Sequence, residues 1–216
     1  TGTFINILLS SLLAYGLSLK ELPGKTALIF YVFFTMLFNG GLVPTYIMYT
    51  RYLHMKNTIG ALIIPALLMN AFNVILARTY IQSNMPIALS EAAQIDGATE
   101  FRIFGQVALP LCKPIIATIG LFIGLGYWND WMNGLYYITD AKLFSVQQLL
   151  NNMIKNIEFL SKNANSNINM SSISGGIPQE TVRMAIAIVG LLPLLVVFPF
   201  MQKYFIKGIS VGAVKG

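Results

Sequence analysis

Long apolar runs alternate with short polar segments along the whole chain. We interpret five of these runs as membrane-crossing helices, because their hydropathy and the charged or aromatic residues at their ends are typical of such helices. They are residues 1–19, about 26–38, 58–81, 111–131 and 182–205. The pattern predicts an all-α, polytopic transmembrane helical bundle.

Glycines and prolines modify several of these helices. Asn39-Gly40-Gly41 predicts a break after the second span, and Pro193 and Pro199 predict breaks in the last one. Gly120 and Gly124 have the four-residue spacing that lets two helices approach closely. Between the last two spans, an apolar period beginning at Val146, with Ser145 as its cap, predicts an amphipathic helix. The residues that follow, 162–179, are predicted to form a flexible loop.

The stretch 91–110, EAAQIDGATEFRIFGQVALP, differs from everything around it. It carries Glu91, Asp96, Glu100 and Arg102 between two apolar runs. Each charge would cost about 2.5 to 3.5 kcal/mol at the centre of a bilayer. This segment therefore has to lie in water.

The same stretch has the pattern of a helix–turn–helix. A first helix begins near Pro86 and ends at Gly97, because glycine takes the left-handed conformation that a tight reversal requires. Thr99 is placed to cap a second helix, which Pro110 closes. Phe101, Phe104 and Ala108 are predicted to share one stripe of that helix. Such a stripe, with nothing in this segment to cover it, indicates a docking surface.

These residues resemble the EAA loop of the membrane subunits of bacterial ABC importers. The resemblance rests on Glu91-Ala92-Ala93, on Gly97 and on the closing Leu109-Pro110, with Val107 at the position where the family usually has isoleucine. The last residues, 208–216, are similar to the tail of the carbohydrate permeases of the maltose-importer kind. The resemblance covers the whole chain.

The resemblance implies a type I importer permease with six spans, the first of them preceding residue 1. In this family the EAA helix sits in a cleft of an ATPase subunit, and closure of the ATPase dimer switches the permease from inward-facing to outward-facing. Carried onto this chain, the ATPase-coupling residues are Glu91, Ala92, Ala93, Asp96, Gly97, Leu109 and Pro110.

The partners that the resemblance implies are a second homologous permease, two ATPase subunits and an extracellular substrate-binding lipoprotein. The implied substrate is a carbohydrate, an oligosaccharide or a polysaccharide fragment, and the same machinery for a non-sugar solute is the alternative. No cofactor is expected on this chain, because ATP and magnesium would bind the ATPase subunits.

Composition agrees with a membrane protein. Hydrophobic residues make up 56% and charged residues 10% of the chain, whereas a soluble domain carries about 25% charged residues. The net charge is +6, and the basic residues are scattered over the ends of the apolar runs rather than grouped on one face. This distribution favours basic residues that flank membrane helices over a nucleic-acid-binding surface. The single cysteine, Cys112, is predicted to be a buried thiol.

The distribution of lysines predicts the topology. The turn at residues 20–25, the coupling loop at about 83–110 and the tail at about 203–216 fall on one side if there are five spans. We assign that side to the cytoplasm, and we assign the segment at about 132–180 to the outside. The protein is thus expected in a bacterial plasma membrane, with several spans and a cytoplasmic C-terminus.

Four polar or aromatic residues are candidates for a substrate pathway. Asn70 and Asn73 are predicted to share a helical face, where their amides either bond a neighbouring helix or line a polar path. Tyr127 and Asn129 lie at the outer end of the fourth span, where they belong either to an aromatic belt or to a sugar path. Both readings remain open for each pair.

Other function classes have less support in the sequence. An ion-coupled carrier usually keeps an ionisable residue near the middle of a span, and none of the five runs has one there. A membrane enzyme needs a nucleophile with its base or a metal cluster, yet the chain has one His, His54, and one Cys. A structural scaffold would leave the helix–turn–helix unexplained.

Overall fold

The computed structural model describes residues 1–163 and 179–213. Most of the predicted flexible loop, residues 164–178, and the last residues of the predicted tail, 214–216, lie outside the described residues. Within the described ranges every regular element is a helix, so the predicted all-α class is confirmed. The α-helices are α1 (Gly2–Ser18), α2 (Lys25–Leu37), α3 (Leu42–Ile47), α4 (Gly60–Ile63), α5 (Ala71–Asn84), α6 (Ile87–Ile95), α7 (Glu100–Ile103), α8 (Leu109–Leu111), α9 (Lys113–Asn129), α10 (Met132–Tyr137), α11 (Val146–Asn163) and α12 (Gln179–Ala213).

Two π-helical turns and one 3-10 turn complete these elements. The π turns cover Met48–Tyr52 and Phe104–Ala108, and the 3-10 turn covers Ala141–Leu143. The amphipathic helix predicted after Ser145 is confirmed as α11. Ser145 caps it as predicted, since its hydroxyl accepts a hydrogen bond from the Gln148 N–H at 3.1 Å.

Few of the helices are both straight and long enough to cross a bilayer. Among the described residues, Glu180–Pro199 of α12 meets that length and composition by itself. Two bent pairs meet it together: Lys25–Leu37 with Leu42–Tyr52, at 111°, and Glu100–Leu111 with Lys113–Asn129, at 85°. The predicted break at residues 39–41 is therefore confirmed, whereas the count of five spans stays a prediction.

The prediction that Pro193 and Pro199 break the last span is wrong. Both prolines lie inside the continuous helix α12. A proline removes one backbone hydrogen bond, and an apolar membrane helix tolerates that loss where neighbouring groups supply other partners. Pro193 leaves the carbonyl of Val189 without its helical donor, and the adjacent carbonyl of Gly190 accepts a hydrogen bond from the Trp128 indole N–H at 2.9 Å.

The third predicted span, by contrast, is interrupted. Its helix stops at Ile63, and α5 begins only at Ala71, with Ala66 in the left-handed region at a φ of 59°. Asn70 is the N-cap of α5, and its side chain accepts a hydrogen bond from the Phe72 N–H at 2.9 Å. The predicted shared helical face of Asn70 and Asn73 is thus corrected, because Asn73 is buried within α5 while Asn70 is exposed before it.

The interrupted segment, residues 64–70, leaves backbone carbonyls without helical partners. A carbonyl buried in an apolar bundle without a partner costs free energy, so other groups have to supply donors. Side chains from three different helices do so: Tyr127 Oη donates to the Ile63 carbonyl at 2.9 Å, Asn133 Nδ2 to the Pro65 carbonyl at 2.9 Å, and Asn6 Nδ2 to the Leu67 carbonyl.

The largest buried cluster forms where α1 packs between α5 and α9. Leu17, Val74 and Ile119 are almost completely buried there. A methyl group placed on Gly120 would lie 3.1 Å from Ile7, and one on Gly124 would lie 3.7 Å from Thr3. The close helix approach predicted from these two glycines is confirmed. Cys112 is 3% exposed in the same cluster, as predicted.

Candidate coupling surface

The first half of the predicted helix–turn–helix, α6, projects from the bundle. None of its residues is buried, and Ile95 is 86% exposed. A helix with this much apolar surface usually packs against something. The coupling surface, as we use the term, comprises α6 and the turn that follows it, residues 87–98.

The turn after α6 has the predicted geometry. Gly97 is in the left-handed region at a φ of 76°, and no atom lies within 4 Å of the position that a side-chain carbon would take there. The Gly97 N–H donates to the Gln94 carbonyl at 3.0 Å, and the Ala98 N–H donates to the Ala93 carbonyl at 2.9 Å. These bonds satisfy carbonyls at the end of α6, as glycine-containing helix ends commonly do.

The second half of the motif differs from the prediction in two respects. The carbonyl of Thr99, and not its hydroxyl, accepts the hydrogen bonds from the N–H groups of Arg102 and Ile103, at 2.9 and 3.0 Å. The predicted stripe also divides: Phe104 and Ala108 are 7% and 1% exposed, whereas Phe101 is 75% exposed. Ile103 is buried instead of Phe101, with 1% of its surface exposed. The π turn at Phe104–Ala108 has more residues per turn than an α-helix, and this changes which side chains face the bundle.

The predicted coupling residues fall into two groups. Glu91, Ala92, Asp96 and Gly97 are exposed on the coupling surface, and Ala93 beside them is half-buried. The other two residues, Leu109 and Pro110, lie beyond the π turn in α8. Leu109 packs against the main cluster, and Pro110 is exposed.

One residue of this region was not predicted as part of the site. The carboxylate of Glu100 accepts a hydrogen bond from the Tyr15 hydroxyl at 2.7 Å and another from the Gln94 side-chain amide at 2.7 Å. It thus joins α7 to α6 and to α1, 85 residues earlier in the chain. No local sequence pattern reports such a distant partner.

A cavity of about 430 Å³ lies beside the coupling surface, between α6 and the turn that joins α1 to α2. It is open to solvent on one side. Its polar and charged lining residues are Tyr15, Ser18, Lys20, Glu21, Gln82, Ser90, Glu91, Gln94 and Glu100. The cavity places part of α1 and its following turn within reach of anything that binds α6.

The four pathway candidates are spread over different environments. Tyr127 is committed to the Ile63 carbonyl and Asn73 is buried, whereas Asn70 and Asn129 are exposed. At the same end as Asn129, the Lys155 ammonium lies 5.5 Å from the centre of the Trp131 ring. No cluster of three or more potential metal-binding side chains occurs in residues 1–163 and 179–213. A pathway role for these four residues stays a prediction.

The fold and this surface define a helical membrane protein that presents one charged helix–turn–helix at an end of its bundle. Residues 6–211 match the family described as binding-protein-dependent transport system inner membrane component. The chain therefore belongs to this family of membrane transport subunits, which work with other transporter components. The predicted resemblance to the permeases of bacterial ABC importers is confirmed.

Similar proteins of known name extend this result. The chain is 40% identical over 215 residues to the polygalacturonan/rhamnogalacturonan transport system permease protein YtcP of Bacillus subtilis, covering 100% of this chain and 73% of YtcP. It is 33% identical to the melibiose/raffinose/stachyose import permease protein MelC of the same species, covering 97% and 70%. A chain of the crystal structure of a bacterial ABC transporter that imports the acidic polysaccharide alginate superposes with a TM-score of 0.75 at 29% identity, covering 94% and 73%.

Proposed function

We propose that this chain forms half of the translocation pathway of an ATP-driven carbohydrate importer. The observation that carries the coupling part of the proposal is helix α6, which has no fully buried residue, is followed by a left-handed glycine and projects from an otherwise apolar bundle. An ATPase subunit would cover this helix. ATP and magnesium would bind that subunit, and this chain would contribute no catalytic group.

The chemistry of the coupling surface fits such a contact. Ala92 and Ala93 have small side chains, which let another backbone approach closely. Glu91 is exposed beside them and can pair with a basic residue or cap a helix of the partner. Leu109 and Pro110 would support this surface from α8, since Leu109 packs into the bundle core.

The substrate proposal rests on the named relatives. YtcP, MelC and the alginate transporter are all described as carbohydrate transport proteins. We therefore assign an oligosaccharide or polysaccharide fragment to this chain, delivered by an extracellular binding lipoprotein. A non-sugar solute is the alternative outcome of the test below.

The remaining features of the proposal concern assembly and topology. A second homologous permease would complete the pathway, with two ATPase subunits below the pair. The chain would cross the bacterial plasma membrane several times, with its C-terminus in the cytoplasm, and Asn70, Asn73, Tyr127 and Asn129 would face or border the path.

The test is ATP hydrolysis by the co-purified transporter in nanodiscs. The probes are its binding protein loaded with trigalacturonate, raffinose or maltotriose, and glutamine as a non-sugar solute. We expect one of the sugars to stimulate hydrolysis in the wild type. Glu91→Ala and Gly97→Pro should abolish that stimulation while all subunits still co-purify, because proline cannot take a φ of 76° and lacks the N–H that Gly97 donates to Gln94.

Glu158→Ala is the matched control, since Glu158 is an exposed glutamate on α11, away from the coupling surface. It should leave the stimulation unchanged. If no ATPase subunit co-purifies with the wild type, the importer proposal is refuted. Stimulation by glutamine alone would refute the carbohydrate assignment and leave the coupling proposal intact.

A further inference from the structure

α6 has few connections to the bundle other than its own backbone. It has no buried side chain, and its helix contacts lie mainly with the neighbouring α7. A displacement of α6 therefore needs specific bonds if it is to move helices deeper in the bundle. The Glu100 carboxylate provides such bonds, because it accepts from Gln94 of α6 and from Tyr15 of α1, each at 2.7 Å.

Tyr15 is held firmly on the side of α1. Its side chain is 3% exposed, and its ring lies 5.3 Å, centre to centre, from the ring of Phe104. Ser90 of α6 lies close to its hydroxyl. Hydrogen bonds to a charged acceptor are stronger than those between neutral groups. The Tyr15–Glu100 bond is therefore a strong link between α1 and α7, and the bond from Gln94 to the same carboxylate extends this link to the coupling surface.

The last turn of α1 is also bound to its neighbours. The Arg78 guanidinium donates to the Leu17 carbonyl at 3.0 Å, and the Lys25 ammonium donates to the Leu19 carbonyl at 2.5 Å. Basic groups at the carboxyl end of a helix satisfy its free carbonyls and interact favourably with its dipole. α1 is thus anchored to α5 and α2 at the end that carries Tyr15.

The other half of α1 reaches the interrupted segment 64–70. Asn6 donates to the Leu67 carbonyl and accepts from the Ser10 hydroxyl at 2.8 Å, and it is 2% exposed. Asn6 and Tyr15 are nine residues apart on one helix, a separation of about 14 Å. A single rigid element therefore connects the Glu100 carboxylate to the backbone of the interrupted segment.

We propose that Tyr15 and Glu100 are positioning residues that transmit a displacement of α6 to α1, and through Asn6 to residues 64–70. This inference rests on the proposed function, because an ATPase subunit must supply the displacement. The segment 64–70 lacks a continuous helix, so its backbone can change conformation at lower cost than an intact helix. The ATP-driven change at the coupling surface would thus alter the interrupted segment.

The test is hydrogen–deuterium exchange of the whole transporter in nanodiscs, with and without Mg-ATP and vanadate. In the wild type we expect trapping to change exchange both in residues 87–103 and in peptides that cover residues 64–70. In Tyr15→Phe, which keeps the ring on Phe104 and removes only the hydroxyl, the change in residues 87–103 should persist. The change in exchange rate at residues 64–70 should fall about tenfold to hundredfold, the scale of one hydrogen bond to a charged group.

Tyr80→Phe is the matched control. Tyr80 lies on α5 beside the same cluster, and within the described part of the chain its hydroxyl makes no hydrogen bond. This variant should behave as the wild type does. Glu100→Gln leaves one acceptor oxygen for two donors and should reproduce the loss seen in Tyr15→Phe. The double variant should show the loss of one variant rather than the sum of both, because both changes act through one contact.

The possible results separate this inference from the proposed function. If trapping leaves residues 87–103 of the wild type unchanged, the coupling proposal fails and this inference fails with it. If those residues respond while residues 64–70 respond equally in the wild type, Tyr15→Phe and Glu100→Gln, the transmission role alone is overturned. Should Tyr15→Phe not assemble, Glu100→Gln decides the question, because the Glu100 side chain is only partly buried.

Discussion

The interrupted segment 64–70 gives the sharpest test of how the bundle is held together. The Asn133 side chain donates to the Pro65 carbonyl at 2.9 Å. Asn133 is 8% exposed and Pro65 is almost completely buried. In Asn133→Leu the new side chain is similar in size but cannot donate, so the Pro65 carbonyl loses its partner and stays buried.

The expected loss follows from the environment of this bond. An unsatisfied buried acceptor costs about 1 to 3 kcal/mol, whereas side-chain hydrogen bonds between membrane helices average about 0.6 kcal/mol and reach about 1.7 kcal/mol. We take about 1 to 2 kcal/mol for Asn133→Leu, since the carbonyl belongs to a non-helical segment with no other partner to turn to. This corresponds to a roughly fivefold to thirtyfold larger unfolded fraction.

Cys112 provides the measurement. It is the single cysteine of the chain and is 3% exposed in the folded protein. A short pulse of maleimide at each SDS concentration labels the thiol in unfolded molecules. Mass spectrometry of the chain then gives the fraction of molecules that carry the label, which is the unfolded fraction. The transition of Asn133→Leu should move to lower SDS concentration, and this shift multiplied by the slope of the unfolding free energy against SDS should equal the predicted loss.

Asn129→Leu is the control for this experiment. Asn129 is an exposed asparagine at the end of α9, and in the described ranges its side chain makes no hydrogen bond. The same substitution should change the unfolding free energy by less than about 0.5 kcal/mol there. Equal shifts for the two variants would show that the Asn133 bond does not stabilise the interrupted segment.

Three further variants test other contacts. In Gly134→Ala the new methyl would lie 2.7 Å from the Gln148 Cδ, so overpacking should lower the unfolding free energy by about 1 to 3 kcal/mol in the same SDS titration. Gly97→Ala meets no neighbouring atom but keeps a φ of 76°, so strain of about 1 to 2 kcal/mol should speed amide exchange at the turn. Asn57→Ala removes the acceptor of the Thr139 N–H at 2.7 Å, which should speed exchange of that amide about tenfold.

Matched variants give each of these predictions a way to fail. Gly16→Ala adds a methyl inside α1 where no atom lies within 4 Å, so it should not destabilise the protein. A loss equal to that of Gly134→Ala would contradict the overpacking argument. For the turn, unchanged exchange of the Ala98 amide in Gly97→Ala would show that the left-handed conformation is not strained by a side chain. For Asn57, Asn39→Ala should leave the Thr139 amide unchanged.

The sequence by itself determined the class of protein and the position of the exposed helix and turn at residues 87–98. The low content of charged residues and the long apolar runs indicate a membrane protein, because helices with this much apolar surface are stable in the hydrocarbon core of a bilayer. The left-handed turn at Gly97 was predictable, because glycine adopts a positive φ at little cost, whereas most other residues do not. The cap at Ser145 and the close approach at Gly120 were also local features, and the structure confirms both.

Only the tertiary structure decided how continuous each helix is. Pro193 and Pro199 were predicted to break α12 and do not, whereas the segment after Ile63 was predicted to be helical and is interrupted. Local propensity cannot decide these cases, because the cost of a lost backbone hydrogen bond depends on whether a distant side chain replaces it. Tyr127 supplies that replacement at Ile63 from 64 residues away.

The same reason explains the residue that sequence reasoning missed. The charge of Glu100 predicted that its segment lies in water, and the exposed residues near it were assigned to the coupling surface. Its bond to Tyr15 joins residues 85 positions apart, and neither residue lies in a pattern that indicates the other. Periodicity and turn chemistry report contacts within one helix or turn, whereas packing of α1 against the helix–turn–helix brings these two groups together.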